Sequence, residues 1–200
     1  MKKYKLNIAA TLIIASLMGC VNSQQDSHDN IKIDTSSSST LTKKTDMIQQ
    51  KITPCLWVEK DAKAVTDYYL SIFKDSKLKD YRQFKNPPEA GGQSFETAVM
   101  EIAGMEFSIL AAGPLFKFNE AISLVVNCKD QGEVDYYWAA LTANGGEEGS
   151  CGWCKDKYGM SWQVVPVEYF DLINSDDPKV RDKAMKNTFT QKKLILSELK

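Results

Sequence analysis

A repeat inside the chain limits its fold more than any other feature. Asp67-Tyr68-Tyr69 recurs as Asp135-Tyr136-Tyr137, 68 positions on. Gly104-Met105-Glu106-Phe107-Ser108-Ile109-Leu110 is echoed 55 positions on by Gly159-Met160-Ser161-Trp162-Gln163-Val164-Val165. Self-similarity of this kind marks two copies of one supersecondary unit. The difference between the offsets falls in the first copy, where Pro87-Pro88 and Gly91-Gly92 lengthen a hairpin.

Local patterns fill in each copy. Ile52 to Val58 reads as a strand, after which Asp61 can cap a helix whose Ala62, Val65, Tyr68, Tyr69, Ile72 and Phe73 recur at helical spacing. Strands are predicted at 78–84, 94–102 and 104–110, giving the order βαβββ. The second round begins with a strand at Ala121 to Val126. Asp130 then caps a helix carrying Val134, Tyr137, Trp138 and Leu141, Gly145-Gly146 stops it, and strands follow around 147–155 and 160–166. The class is α+β, with modules at about 51–112 and 119–166. Residues 167–200 read as a helical tail with a strong start at Asp176-Asp177-Pro178. Its Phe170, Leu172, Ile173, Val180, Met185, Phe189, Leu194, Ile195 and Leu196 need burial, either on the open sheet or on a second chain.

The N-terminus follows other rules. Lys2, Lys3 and Lys5 precede an apolar run from Leu6 to Met18, which ends in Leu17-Met18-Gly19-Cys20. A basic start, a short apolar stretch and small residues describe a secretory signal over 1–19, too short for a comfortable membrane span. Ending on Gly-Cys, it resembles the lipobox of bacterial lipoproteins. That resemblance implies cleavage before Cys20, lipidation of that cysteine, and an extracytoplasmic protein anchored to a bacterial membrane. Residues 20–50, with the run Ser36 to Ser39, are too poor in apolar surface to fold and read as a tether. The chain's one histidine, His28, falls there, so the folded part has no imidazole for acid–base or metal chemistry. A net charge of −1 gives no electrostatic reason to bind nucleic acid.

Strand alternation assigns faces. Leu56, Val58, Trp162 and Val164 should pack under helices. Thr53, Cys55 and Trp57, then Glu106, Ser108 and Leu110, then Ala121, Ser123 and Val125, and finally Ser161, Gln163 and Val165 should occupy the opposite face. This mixture of small, polar and aromatic side chains suits the wall of a cavity better than a core.

Several segments resemble the vicinal oxygen chelate superfamily, which includes glyoxalase I, bleomycin-resistance proteins and ring-cleaving dioxygenases, and within it the PhnB-like branch. They are Ile52-Thr53-Pro54-Cys55-Leu56-Trp57 running into the Tyr68-Tyr69 helix, Gly113 to Ser123, Val134-Asp135-Tyr136-Tyr137-Trp138, Cys151-Gly152-Trp153 and Lys155 to Gly159. The resemblance covers about residues 51–190. It implies paired modules forming an open, cup-shaped mixed sheet with helices on the outside, a ligand inside the cup, and a homodimer. In metal-using relatives the ligands are mostly His and Glu. The matching positions here are near Thr53, Ser108, Ala121 and Gln163, a poor set for a divalent ion. Members of this branch are often labelled demethylubiquinone methyltransferases, but no glycine-rich turn joins a strand to a helix here to hold a methyl-donor nucleotide.

These observations point to a metal-independent, cofactor-free cup for a small apolar or aromatic molecule, lined by Thr53, Cys55, Trp57, Glu106, Ser108, Ser123, Ser161 and Gln163. Whether it catalyses a reaction stays open. Glu106 is the candidate general base, requiring burial to raise its pKa. The alternative is a metal-dependent lyase, isomerase or dioxygenase with non-standard ligands drawn from Cys55, Glu106, Cys151 and Cys154. Cys151 and Cys154 sit in a strand and turn, which argues for packing thiols; a redox pair would suit a helix N-terminus, and a zinc site would need further ligands. An oxidising compartment also permits a disulfide among the four domain cysteines. A third reading is an envelope protein whose cup is filled by its own side chains.

Overall fold

The computed structural model of the 200-residue chain describes residues 50–86, 88 and 91–200. The basic and apolar start, Cys20, His28 and the predicted tether as far as residue 49 lie outside the described residues. No helix among the described residues is long and apolar enough to cross a membrane.

The first module runs β1 (Cys55–Val58), α1 (Ala62–Ile72), β2 (Ser76–Lys85), β3 (Ser94–Ile102) and β4 (Met105–Ala111), and its sheet has the order β1-β4-β3-β2. The second runs β5 (Leu124–Cys128), α2 (Gln131–Thr142), β6 (Glu147–Glu148), β7 (Trp153–Lys155) and β8 (Ser161–Pro166), in the order β5-β8-β7-β6. In each, the first strand lies parallel to the last and the remaining pairs are antiparallel. A parallel pair needs a crossover, which the helix and intervening strands supply. The expected α+β architecture of two βαβββ modules with open mixed sheets is therefore present. The helices α3 (Val167–Ile173), α4 (Pro178–Thr188) and α5 (Leu196–Leu199) follow.

The helices begin where the sequence places them. Asp61 accepts a hydrogen bond from the Ala64 amide and Asp130 from that of Glu133, each at 2.9 Å, filling orphan donors of the first turn. Glu96, reaching from β3, accepts from the Ala62 amide at 2.8 Å. The first-module hairpin is the long one, closed by Phe84 stacked on Phe95 with centroids 4.8 Å apart. Its register shifts between Leu78 and Asp80, which leaves Lys79 bulged.

One core serves both modules. Leu56, Val58, Phe107 and Ile109 from the first sheet share it with Val126, Trp162 and Val164 from the second. The boundary is aromatic, with Phe73 stacked on both Tyr137 and Trp162 at 5.2 and 5.4 Å. The Tyr136 hydroxyl donates to the Ile72 carbonyl at 2.8 Å. Helix α1 thus lies against its own sheet and against Trp162, while Lys63, Asp67 and Ser71 stay in solvent. Because both helix-bearing faces turn toward this core, the two outer faces point away from it.

Three face assignments differ from expectation. Residues 52–54 and 121–123 precede the paired strands, so Ala121 is exposed in a loop and not on a sheet. Val165 has the expected parity but is buried, because Leu194 and Leu199 of the tail cover it. Only part of the tail's apolar set is covered. Leu194 is fully buried, whereas Phe170, Val180, Met185 and Phe189 remain exposed, since the short helices pack on one another and on one end of the sheet.

Candidate ligand-binding faces

The outer face of the first sheet is built in rows. Strand register puts Trp57, Leu110, Thr97 and Arg82 in one row, Cys55, Ser108, Val99 and Asp80 in the next, and Glu106, Glu101 and Lys77 in a third. Trp57, Leu110, Thr97, Val99 and Ser108 are half-buried, and Cys55 is exposed. Trp57 is fixed by the segment after β4. Its indole N–H donates to the Gly113 carbonyl at 2.8 Å, and Phe116 meets its ring edge-on at 4.9 Å. Thr53 lies half-buried just before β1, and the Ser108 hydroxyl points to the Pro54 carbonyl at 3.4 Å.

The charged row is paired within itself. Lys79 contacts Glu106 at 2.8 Å and Glu101 at 3.2 Å, and Lys77 contacts Glu101 at 3.3 Å. The neighbouring Lys79, then Lys77, holds the Glu101 carboxyl below the usual carboxylate range, and Glu106 followed by Glu101 holds Lys79 above the usual amine range. Glu106 is thus half-buried, with the Lys79 cation on its carboxylate.

The second outer face carries the row Val125, Gln163 and Trp153. Gln163 donates to the Ser123 hydroxyl at 2.9 Å. Ser161 is buried, and its hydroxyl has no partner among the described residues. The eight predicted pocket residues therefore fall into two groups: Thr53, Cys55, Trp57, Glu106 and Ser108 in the first module, Ser123, Ser161 and Gln163 in the second. No described hydrogen bond joins the groups.

The positions that match the metal ligands of the superfamily do not fit a metal. They supply two hydroxyls, an alanine and an amide already engaged with Ser123, and they are divided between the two modules. Among the described residues no group of three or more His, Cys, Asp or Glu could hold an ion. Cys151 lies in a turn at φ 59°, Cys154 in the shared core, and Cys55 on the first sheet; all are free thiols, as is Cys128. Burial, the main cause, pushes the Cys128 and Cys154 thiols up to about 12.

Residue-by-residue reading of the sequence missed Asp156. It is almost fully buried and accepts four hydrogen bonds: from the Tyr69 hydroxyl and the Trp162 indole, both at 2.9 Å, and from the Tyr158 and Met160 amides at 2.9 and 3.1 Å. Burial raises its carboxyl above the ordinary range, and the four donors oppose that shift. An aspartate before Tyr158-Gly159 signals an Asx-type turn. Nothing local marks its long-range partner on α1.

A family model described as 3-demethylubiquinone-9 3-methyltransferase matches residues 50–165, which are the two βαβββ modules without the tail. The chain belongs to that family. It is the PhnB-like branch of the vicinal oxygen chelate superfamily. A PhnB protein from Bacillus cereus is similar in structure, with 29% identity and a TM-score of 0.52 over 58% of this chain and 99% of that one. A fosfomycin resistance protein, FosX, from Listeria monocytogenes matches at 18% identity and TM-score 0.42, over 60% of this chain and 93% of that one. A glyoxalase family protein from Bacillus cereus matches at 15% and 0.38, over 59% and 96%. No curated protein matches. As a PhnB-like chain, this one carries its 167–200 tail outside the matched region.

Proposed function

We propose that this PhnB-like chain is a lipid-anchored binding protein. In this reading two copies bring outer sheet faces together around a small apolar or aromatic molecule, without a metal. One observation carries it: the two outer faces, Trp57, Leu110, Thr97 and Ser108 on one and Ser123, Gln163 and Trp153 on the other, turn away from a common core, so a cup needs a second copy. Trp57 supplies a fixed aromatic platform, and Ser108, Ser123 and Gln163 supply the few polar groups that orient a ligand. The misfit of the metal-ligand positions supports a metal-independent site. Methyl transfer finds no support in the glycines: Gly91-Gly92 lies between the antiparallel β2 and β3, and Gly145-Gly146 follows α2, so neither forms a strand-to-helix phosphate turn. Cys20, at the end of the signal-like segment, is the proposed lipid attachment point.

The test couples mass to binding. Sedimentation of the protein should give a dimer, and apolar aromatic probes should quench tryptophan emission with an affinity that survives chelator. A monomer with no probe binding, or binding abolished by chelator, defeats the proposal.

A further inference from the structure

The tail supplies a second surface. Helix α4 buries Ala184 and Thr188 against the rest of the tail, and Lys179, Lys183 and Lys186, at positions i, i+4 and i+7, form an exposed ridge on its other side. Among the described ion pairs α4 contributes only Arg181 with Asp182, so none of them engages the three ridge lysines. Met185 and Phe189 are exposed beside it, Phe189 at 72%, although a chain free in water gains by covering such a ring. From Pro178 to Lys193 there are six basic residues against the single acid Asp182, in a chain whose net charge is −1. The segment lies outside the family-matched 50–165, so the common fold does not require it.

We infer that α4, through Lys179, Lys183 and Lys186 together with Met185 and Phe189, docks on an anionic phospholipid surface. Cations set beside a protruding aromatic ring match a membrane interface, where phosphate headgroups take the lysines and the acyl boundary takes the ring. A nucleic acid would satisfy the lysines and leave Met185 and Phe189 uncovered. The inference rests on the proposed lipid anchor only for bringing the chain to a membrane. Docking would then hold the domain against the bilayer in one orientation and fix which way the sheet faces point.

The test is hydrogen exchange of the full chain on vesicles of phosphatidylcholine, with or without phosphatidylglycerol. Exchange in 178–190 should slow by about tenfold on the anionic vesicles only, and the slowing should fade with added salt. Lys179→Glu, Lys183→Glu and Lys186→Glu combined should abolish the protection, and Phe189→Ser should weaken it, with thermal unfolding unchanged because all four side chains are exposed. Sedimentation with pure phosphatidylcholine vesicles reads the anchor separately, so the two readings can fail independently. The inference is overturned by protection that is equal on neutral vesicles, that survives the charge reversal, that follows protein concentration without vesicles, or that appears with an oligonucleotide and not with lipid.

Discussion

Tyr69 on α1 donates its hydroxyl hydrogen bond to Asp156, 2.9 Å away and buried in the turn between β7 and β8, so one bond ties the first module to the second. The same carboxylate oxygen receives the Trp162 indole, whose ring packs 5.9 Å from that of Tyr69. The modules are thereby joined at one shared acceptor inside an aromatic boundary.

Replacing Asp156 by Asn should destabilise the domain by about 2–4 kcal/mol, because an amide nitrogen would face donors that the carboxylate now accepts. Tyr69→Phe removes one of the four bonds and should cost about 1 kcal/mol. Chemical denaturation measures both. The raised carboxyl also sets a pH trend. A group with a raised folded-state pKa contributes most below its unfolded value, and that contribution is lost as pH rises through the folded value. The stability gap between the wild type and Asp156→Asn should therefore narrow from acid to neutral pH.

The thiols should divide by burial. Because Cys128 and Cys154 are pushed up to about 12, they are neutral thiols at neutral and mildly alkaline pH. Alkylation of the native chain, mapped by mass spectrometry, should modify the exposed Cys55 at least about tenfold faster than either, and denaturant should erase the difference.

Trp57 separates platform from scaffold. Trp57→Phe keeps a ring and loses the bond to Gly113, with an expected cost of about 1 kcal/mol in stability. Trp57→Ala should in addition lower the affinity for aromatic probes by about tenfold or more. Equal probe affinity in all three proteins would remove Trp57 from the site.

The tail strap hangs on Leu194. This fully buried side chain packs with Val165 and Leu199, and the Cys151 and Gly152 amides donate to the Gln191 and Lys192 carbonyls, each at 2.7 Å. Leu194→Ala should cost about 2–5 kcal/mol locally, seen as faster hydrogen exchange over 190–199 with the sheets unchanged. Gly152→Ala should loosen the same strap, since Gly152 sits at φ +82° and an added Cβ would lie 3.2 Å from Leu194.

The elements and their order are legible along the chain. Helical spacing with Asp61 and Asp130 as caps located α1 and α2, the duplicated Asp-Tyr-Tyr aligned the modules, and alternation put Leu56, Val58, Trp162 and Val164 on the helix side, because these signals act within a few residues along the chain. Which residues cover each face is a matter of tertiary structure. Alternation shows that Val165 shares a side with Gln163, yet Leu194, far along the chain, is what buries it; the same distance hid the tie between Tyr69 and Asp156. It also decided that Lys79 bulges toward Glu106 and that the two outer faces diverge, because the period of a strand fixes which side chains share a face and carries no information about the partner that face meets.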